Sequence, residues 1–105
     1  MVAMDVRLLY FDDCPNWHVA DERLRLALGG LGEGAPTVAY ERVSTPEHAQ
    51  RVGFRGSPTI LVNGRDPFAR AEDPVGLCCR IYRSDQGIDY APSVEELRSV
   101  LTAAC

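Results

Sequence analysis

Short apolar runs and stretches of helical spacing alternate from one end of the chain to the other. A chain of 105 residues has room to bury them around one core only. That combination confines the fold to a single α/β domain over residues 1–105. The first apolar run, residues 6–11, is broken only by Arg7 and reads as a buried strand. Residues 15–30 then place Val19 or Ala20, Leu24, Ala27 or Leu28, and Leu31 at helical spacing, with Asp21, Glu22, Arg23 and Arg25 between them. Gly29 and Gly30 stop that helix. Residues 37–43 alternate and carry enough β-branched side chains for a second strand. Thr45 before Pro46 marks the start of a short helix reaching about residue 52. Residues 59–62 form a third strand, closed by the turn pair Asn63-Gly64. Residues 65–76, with Pro67, Pro74 and several charges, read as an exposed loop, and residues 77–83 as a fourth strand. Ser93 and Glu96 form a capping box for a last helix whose buried stripe is Val94, Leu97, Val100 or Leu101, and Ala104.

Charge and cysteine usage narrow the function. The net charge of -4 sets 15 acidic residues against 11 basic ones, all of them arginine. The arginines are scattered from Arg7 to Arg98 with no basic stripe to neutralise phosphates, which argues against nucleic acid as a partner. No stretch approaches the ~18 apolar residues that span a bilayer, and Asp5 and Arg7 interrupt any signal-peptide core. No membrane partner and a cytoplasmic location are therefore expected. The spacing Cys14, Cys78, Cys79, Cys105 is not that of a disulfide-stapled scaffold, and reduced thiols, some of them reactive, fit better. It does not match an iron–sulfur ligand set either. No cofactor is implied, because the chain carries no phosphate loop, nucleotide fingerprint or Ser-His-Asp arrangement.

The run Gly53-Phe54-Arg55-Gly56-Ser57-Pro58-Thr59-Ile60-Leu61-Val62-Asn63-Gly64 resembles the thioredoxin segment in which a G-hydrophobic-R-G-x-P-T sequence leads into a central strand. The element order β-α-β-α-β-β-α is also that of a thioredoxin-like domain. The resemblance covers nearly the whole chain, least closely residues 65–83, and implies a four-stranded mixed sheet flanked by helices. Within it, Cys14-Pro15-Asn16-Trp17 looks like half of a dithiol redox motif whose second cysteine has become tryptophan. The resemblance makes Pro58 a cis-proline facing the Cys14 thiol. It also makes Pro15, Trp17, Ser57, Pro58 and Thr59 the residues that meet a substrate. A bend at Ser57-Pro58 leaves the Ser57 main chain free to pair with an extended peptide or thiol adduct.

Cys14 stands at a strand-to-helix junction, where free amide groups and the helix dipole favour a thiolate. Asp12 and Asp13 repel one. His18 lies one helical turn on, where its imidazole could pair with the thiolate, or stand as an ordinary surface histidine. His48 receives no role. Cys78 and Cys79 are the candidates for a displaced resolving thiol. In a fourth strand Cys79 would face the core, Cys78 would be half-exposed, and both would sit near the end of the sheet far from Cys14. At about 3.3 Å per residue the gap is well over roughly 10 Å, beyond the ~7 Å between Cα atoms that a disulfide spans. Cys105 is expected to be exposed and frayed.

Three functions follow. The first is a thiol–disulfide oxidoreductase that uses Cys14 alone against a protein disulfide or a low-molecular-weight thiol, resolved by an external thiol in the monothiol manner. The second is a handler of a soft metal or organomercurial through Cys14, His18 and another thiol, although no metal site is readable from the sequence. The third is a noncatalytic binding or redox-sensing module in which Trp17 and the Pro58 loop form an apolar platform. Residues 65–76, with Asp66-Pro67-Phe68, are long enough to fold over the site as a lid.

Overall fold

A computed structural model describes residues 4–32, 35–84 and 87–104; Cys105 lies outside the described residues. The central strand is β1 (Val6–Tyr10), flanked in parallel by β2 (Val38–Arg42) and antiparallel by β3 (Thr59–Val62), in the order β2-β1-β3. Leu8 lies opposite both Tyr40 and Ile60. Alternate β1 residues face opposite ways, so the sheet has an apolar cluster on each side. Val6, Leu8, Ile60 and Val62 join Ala20, Leu24, Ala27, Leu28, Leu97 and Leu101 in the larger one. Leu9 joins Val43, Ala49 and Phe54 in the smaller, with Phe11, Val52, Leu61, Val75 and Leu77 packed against it.

The helices follow from sequence signals. Helix α1 (Trp17–Gly29) buries Ala20, Leu24, Ala27 and Leu28; Val19 stays exposed. Helix α2 (Pro46–Val52) has Thr45 as its N-cap, accepting the His48 N–H at 3.1 Å. His48 also contacts Glu41 at 2.6 Å through its ring. Helix α3 (Val94–Ala104) begins in the expected box: the Glu96 N–H donates to Ser93 Oγ and the Ser93 N–H to Glu96 Oε1, both at 3.1 Å. Ser93→Ala is expected to cost about 1 kcal/mol of stability, read as a lower denaturant midpoint at unchanged slope.

The four-stranded sheet and the order β-α-β-α-β-β-α are corrected by the structure. Among the described residues the strands between β3 and α3 are β4 (Tyr82–Ser84) and β5 (Gly87–Asp89), which pair with each other in a separate two-stranded sheet. The residues expected to complete the main sheet leave it for a physical reason. Their main-chain groups have partners elsewhere, since the Gly76 N–H donates to Phe54 O at 3.0 Å and the Arg80 N–H to Ser57 O at 2.9 Å. Arg80 buries its charge beside an acidic loop, where a regular edge strand would expose it. Among the described residues no helix is long and apolar enough to cross a membrane.

Candidate functional site

Strand β1 ends at Tyr10 and the chain turns, with the Cys14 N–H donating to Phe11 O at 3.0 Å, before α1 begins. Cys14 therefore sits just ahead of the N-terminus of α1, and it is only 1% exposed. No side chain caps this helix end, so the positive pole of the helix dipole is directed at the turn that carries the sulfur.

Cys14 is joined to Cys79 by a disulfide with 5.7 Å between Cα atoms, across 65 positions of sequence. The expected separation is thereby corrected. Residues 77–83 do not continue the main sheet: Cys79 makes an isolated parallel bridge to Ser57 and so comes to the same end of the molecule as Cys14. The expected core position of Cys79 is also corrected, since Cys79 is exposed, while Cys78 is half-buried as expected. Cys78 is a free thiol that donates to Gly76 O at 3.7 Å.

Ser57 joins the two halves of the site. The Ser57–Pro58 peptide is cis, as the resemblance of residues 53–64 implies. The expectation that the Ser57 main chain stands free is corrected: its N–H donates to Cys78 O at 2.7 Å and its carbonyl accepts from the Arg80 N–H at 2.9 Å. That carbonyl also lies 3.7 Å from Cys14 Sγ. The Ser57 hydroxyl is fully buried and finds no hydrogen-bond partner among the described residues. Thr59 donates through its hydroxyl to Gly56 O at 2.6 Å. Pro58 is buried and its carbonyl accepts from the Tyr82 hydroxyl. Burial pushes that phenol far above its usual range, which keeps it a neutral donor.

The other predicted residues divide. Pro15 is exposed and Trp17 partly buried. Trp17 stacks on Tyr10 at 4.5 Å and on His18 at 3.8 Å between ring centroids, with Tyr40 edge-on at 6.5 Å. His18 is thus an exposed member of an aromatic stack. Asp12 pairs with Arg42 at 2.9 Å. Among the described residues no three His, Cys, Asp or Glu side chains form a group that could hold a metal ion.

Sequence reasoning missed Arg80, Asp66, Asp73 and Tyr82. Arg80, with its side chain 4% exposed, donates to Asp66 at 2.6 Å, stands 3.8 Å from Asp73 and lies over the Tyr82 ring at 4.5 Å. The available signal was a charged residue inside the otherwise apolar run Leu77 to Tyr82, opposite two aspartates in the preceding loop. That loop is no lid over Cys14. Phe68 packs against the larger core and edge-on to Tyr82 at 5.6 Å, and Arg55 holds the carbonyls of Arg70 and Asp73 at 2.8 and 3.1 Å. A cleft of about 590 Å³ lies beside this loop, lined by Phe68, Arg70, Arg80, Tyr82 and Glu96 among others, and does not include Cys14, Ser57 or Cys79.

Compared with known proteins, the chain matches no family model, no curated protein and no solved structure at a significant level. The site is therefore defined by its geometry: a buried cysteine before a helix N-terminus, bonded to the sulfur of an exposed cysteine on a neighbouring segment.

Proposed function

We propose that the protein is a thiol–disulfide oxidoreductase whose two-electron couple is Cys14–Cys79. The observation that carries this reading is the bond between a buried cysteine at a helix N-terminus and an exposed one. An external thiolate attacks the sulfur of Cys79, the exposed residue of the pair; the sulfur–sulfur bond breaks and its electron pair leaves on Cys14 as a thiolate. The α1 dipole favours that charge. Once protonated, the Cys14 thiol has the Ser57 carbonyl 3.7 Å away as an acceptor. A second thiolate attacks the external sulfur of the mixed disulfide and frees Cys79, so two external thiols become one disulfide while the protein becomes a dithiol. Reduction of a substrate disulfide takes a separate route, in which the Cys14 thiolate attacks the substrate and Cys79 is the resolving thiol that the sequence left to an external molecule. The likeness of residues 53–64 to the thioredoxin-like segment supports the same chemistry, and family membership is part of the proposal. A cytoplasmic location fits a pair that cycles, since reducing compartments keep few permanent disulfides.

Thiol trapping at graded dithiothreitol ratios tests the reading. Wild type and Cys78→Ser should show one reversible two-electron transition and catalyse thiol transfer. Cys14→Ser and Cys79→Ser should lose the transition, and Cys14→Ser should turn over at the background rate. Full turnover without Cys14, or a bond that opens only when the protein unfolds, would sink the proposal.

A further inference from the structure

Resting on that redox reading, we propose that residues 76–80 are a built-in stand-in for a partner peptide. They occupy a peptide-binding edge at Ser57 that a cysteine-bearing extended segment of another protein takes over when Cys14–Cys79 is reduced. Four observations carry this. The segment is bound as an added strand binds: the Ser57 N–H and carbonyl are both spent on it, at 2.7 and 2.9 Å, and it contributes no strand to either sheet. It lies close over residue 56, where a Cβ would come within 3.0 Å of Arg80 Cβ and 3.1 Å of Cys78 O, and where Gly56 has φ +109°. Its ends are held by side-chain pockets, Leu77 on the cluster of Leu9, Val43, Ala49 and Phe54, and Arg80 on Asp66 and Asp73. The buried Ser57 hydroxyl has no hydrogen-bond partner among the described residues, so the site holds a polar group that the present occupant does not engage.

The occupant describes its replacement. The partner segment runs extended through Ser57, with an apolar residue two positions before its cysteine, as Leu77 precedes Cys79, and a basic residue directly after it, as Arg80 follows. With residues 76–80 lifted off, the Cys14 thiolate attacks the partner's disulfide, forming a mixed disulfide and releasing the partner's other sulfur as a thiolate. Cys79 then attacks the Cys14 sulfur, expels the partner's cysteine as a thiolate and restores the Cys14–Cys79 bond. Return of the segment thus both completes the reduction and ejects the product, and the oxidised protein cannot rebind a partner.

Two measurements test this. Amide hydrogen exchange of the wild-type protein should show Ser57 and Arg80 accelerating by about two orders of magnitude on reduction, while Leu97 in α3 keeps its protection. Separately, Cys79→Ser protein is mixed with a synthetic peptide of residues 75–81 carrying Cys78→Ser and activated at its one cysteine as a thionitrobenzoate disulfide. Cys14 should be captured faster than by a peptide that also carries Arg80→Glu, by about ten-fold, the least that losing a charge-assisted hydrogen bond costs. Equal capture rates, or Ser57 protection unchanged by reduction of a working couple, would overturn the inference and leave the redox reading standing. Acceleration at Ser57 and Leu97 together would overturn both, because the bond would then brace the whole fold.

Discussion

Reduction of Cys14–Cys79 should lower the folding free energy by about 4 kcal/mol, the loop-closure entropy that a cross-link over 65 positions removes from the unfolded chain. In a domain of this size that is a fall in Tm of roughly 15–30 °C. Calorimetry with and without dithiothreitol measures it, and Cys14→Ala/Cys79→Ala should reproduce the reduced value while Cys78→Ser leaves Tm unchanged. A drop of less than about 1 kcal/mol would refute the entropic account, showing that the reduced unfolded chain keeps the two ends close. The reduced protein must stay folded for the pair to cycle, and native stabilities of about 5–15 kcal/mol leave room for that loss.

Arg80→Met should cost about 3–5 kcal/mol, because it strands the buried Asp66 carboxylate that the guanidinium pairs with. Asp66, 9% exposed at its side chain, receives both guanidinium nitrogens of Arg80, at 2.6 and 3.4 Å. The double substitution Arg80→Met/Asp66→Leu removes the charge with its partner and should recover most of the loss. Urea unfolding of wild type, Arg80→Met, Asp66→Leu and the double variant closes the cycle. A single variant as stable as wild type, or a double variant no better than the single, would show that the ion pair is not what anchors this segment.

Local signals in the sequence were enough where local physics decides the outcome. The Ser93–Glu96 box, the Thr45-Pro46 start and the periodicity of α1 and α3 act within one helical turn, and each stands where expected. The cis bond at Ser57 was expected only through the resemblance of residues 53–64 to the thioredoxin segment. What was not legible is where residues 77–81 go. As a pattern they read as a strand, apolar and bounded by turn residues. Their position is set by three long-range partners, Ser57, Asp66 and Cys14, none visible from the segment itself. Placing Cys79 in a sheet register therefore put it at the wrong end of the molecule, and the resolving thiol was sought outside the chain. The signal available was Arg80: a guanidinium in an otherwise apolar run demands a buried acid, and finding Asp66 would have drawn the segment off the sheet edge.

The three-stranded sheet also acts as a partition. Val6, Leu8, Ile60 and Val62 face α1 and α3, while Leu9 faces the cluster on which Val75 and Leu77 rest. The apolar side chains that would move with Cys79 belong to the second compartment, and the larger one is closed off behind a single layer of backbone. The face of the sheet that packs on α1 and α3 takes no apolar side chain from residues 76–80, so the core behind Cys14 is built without the segment that carries its partner sulfur.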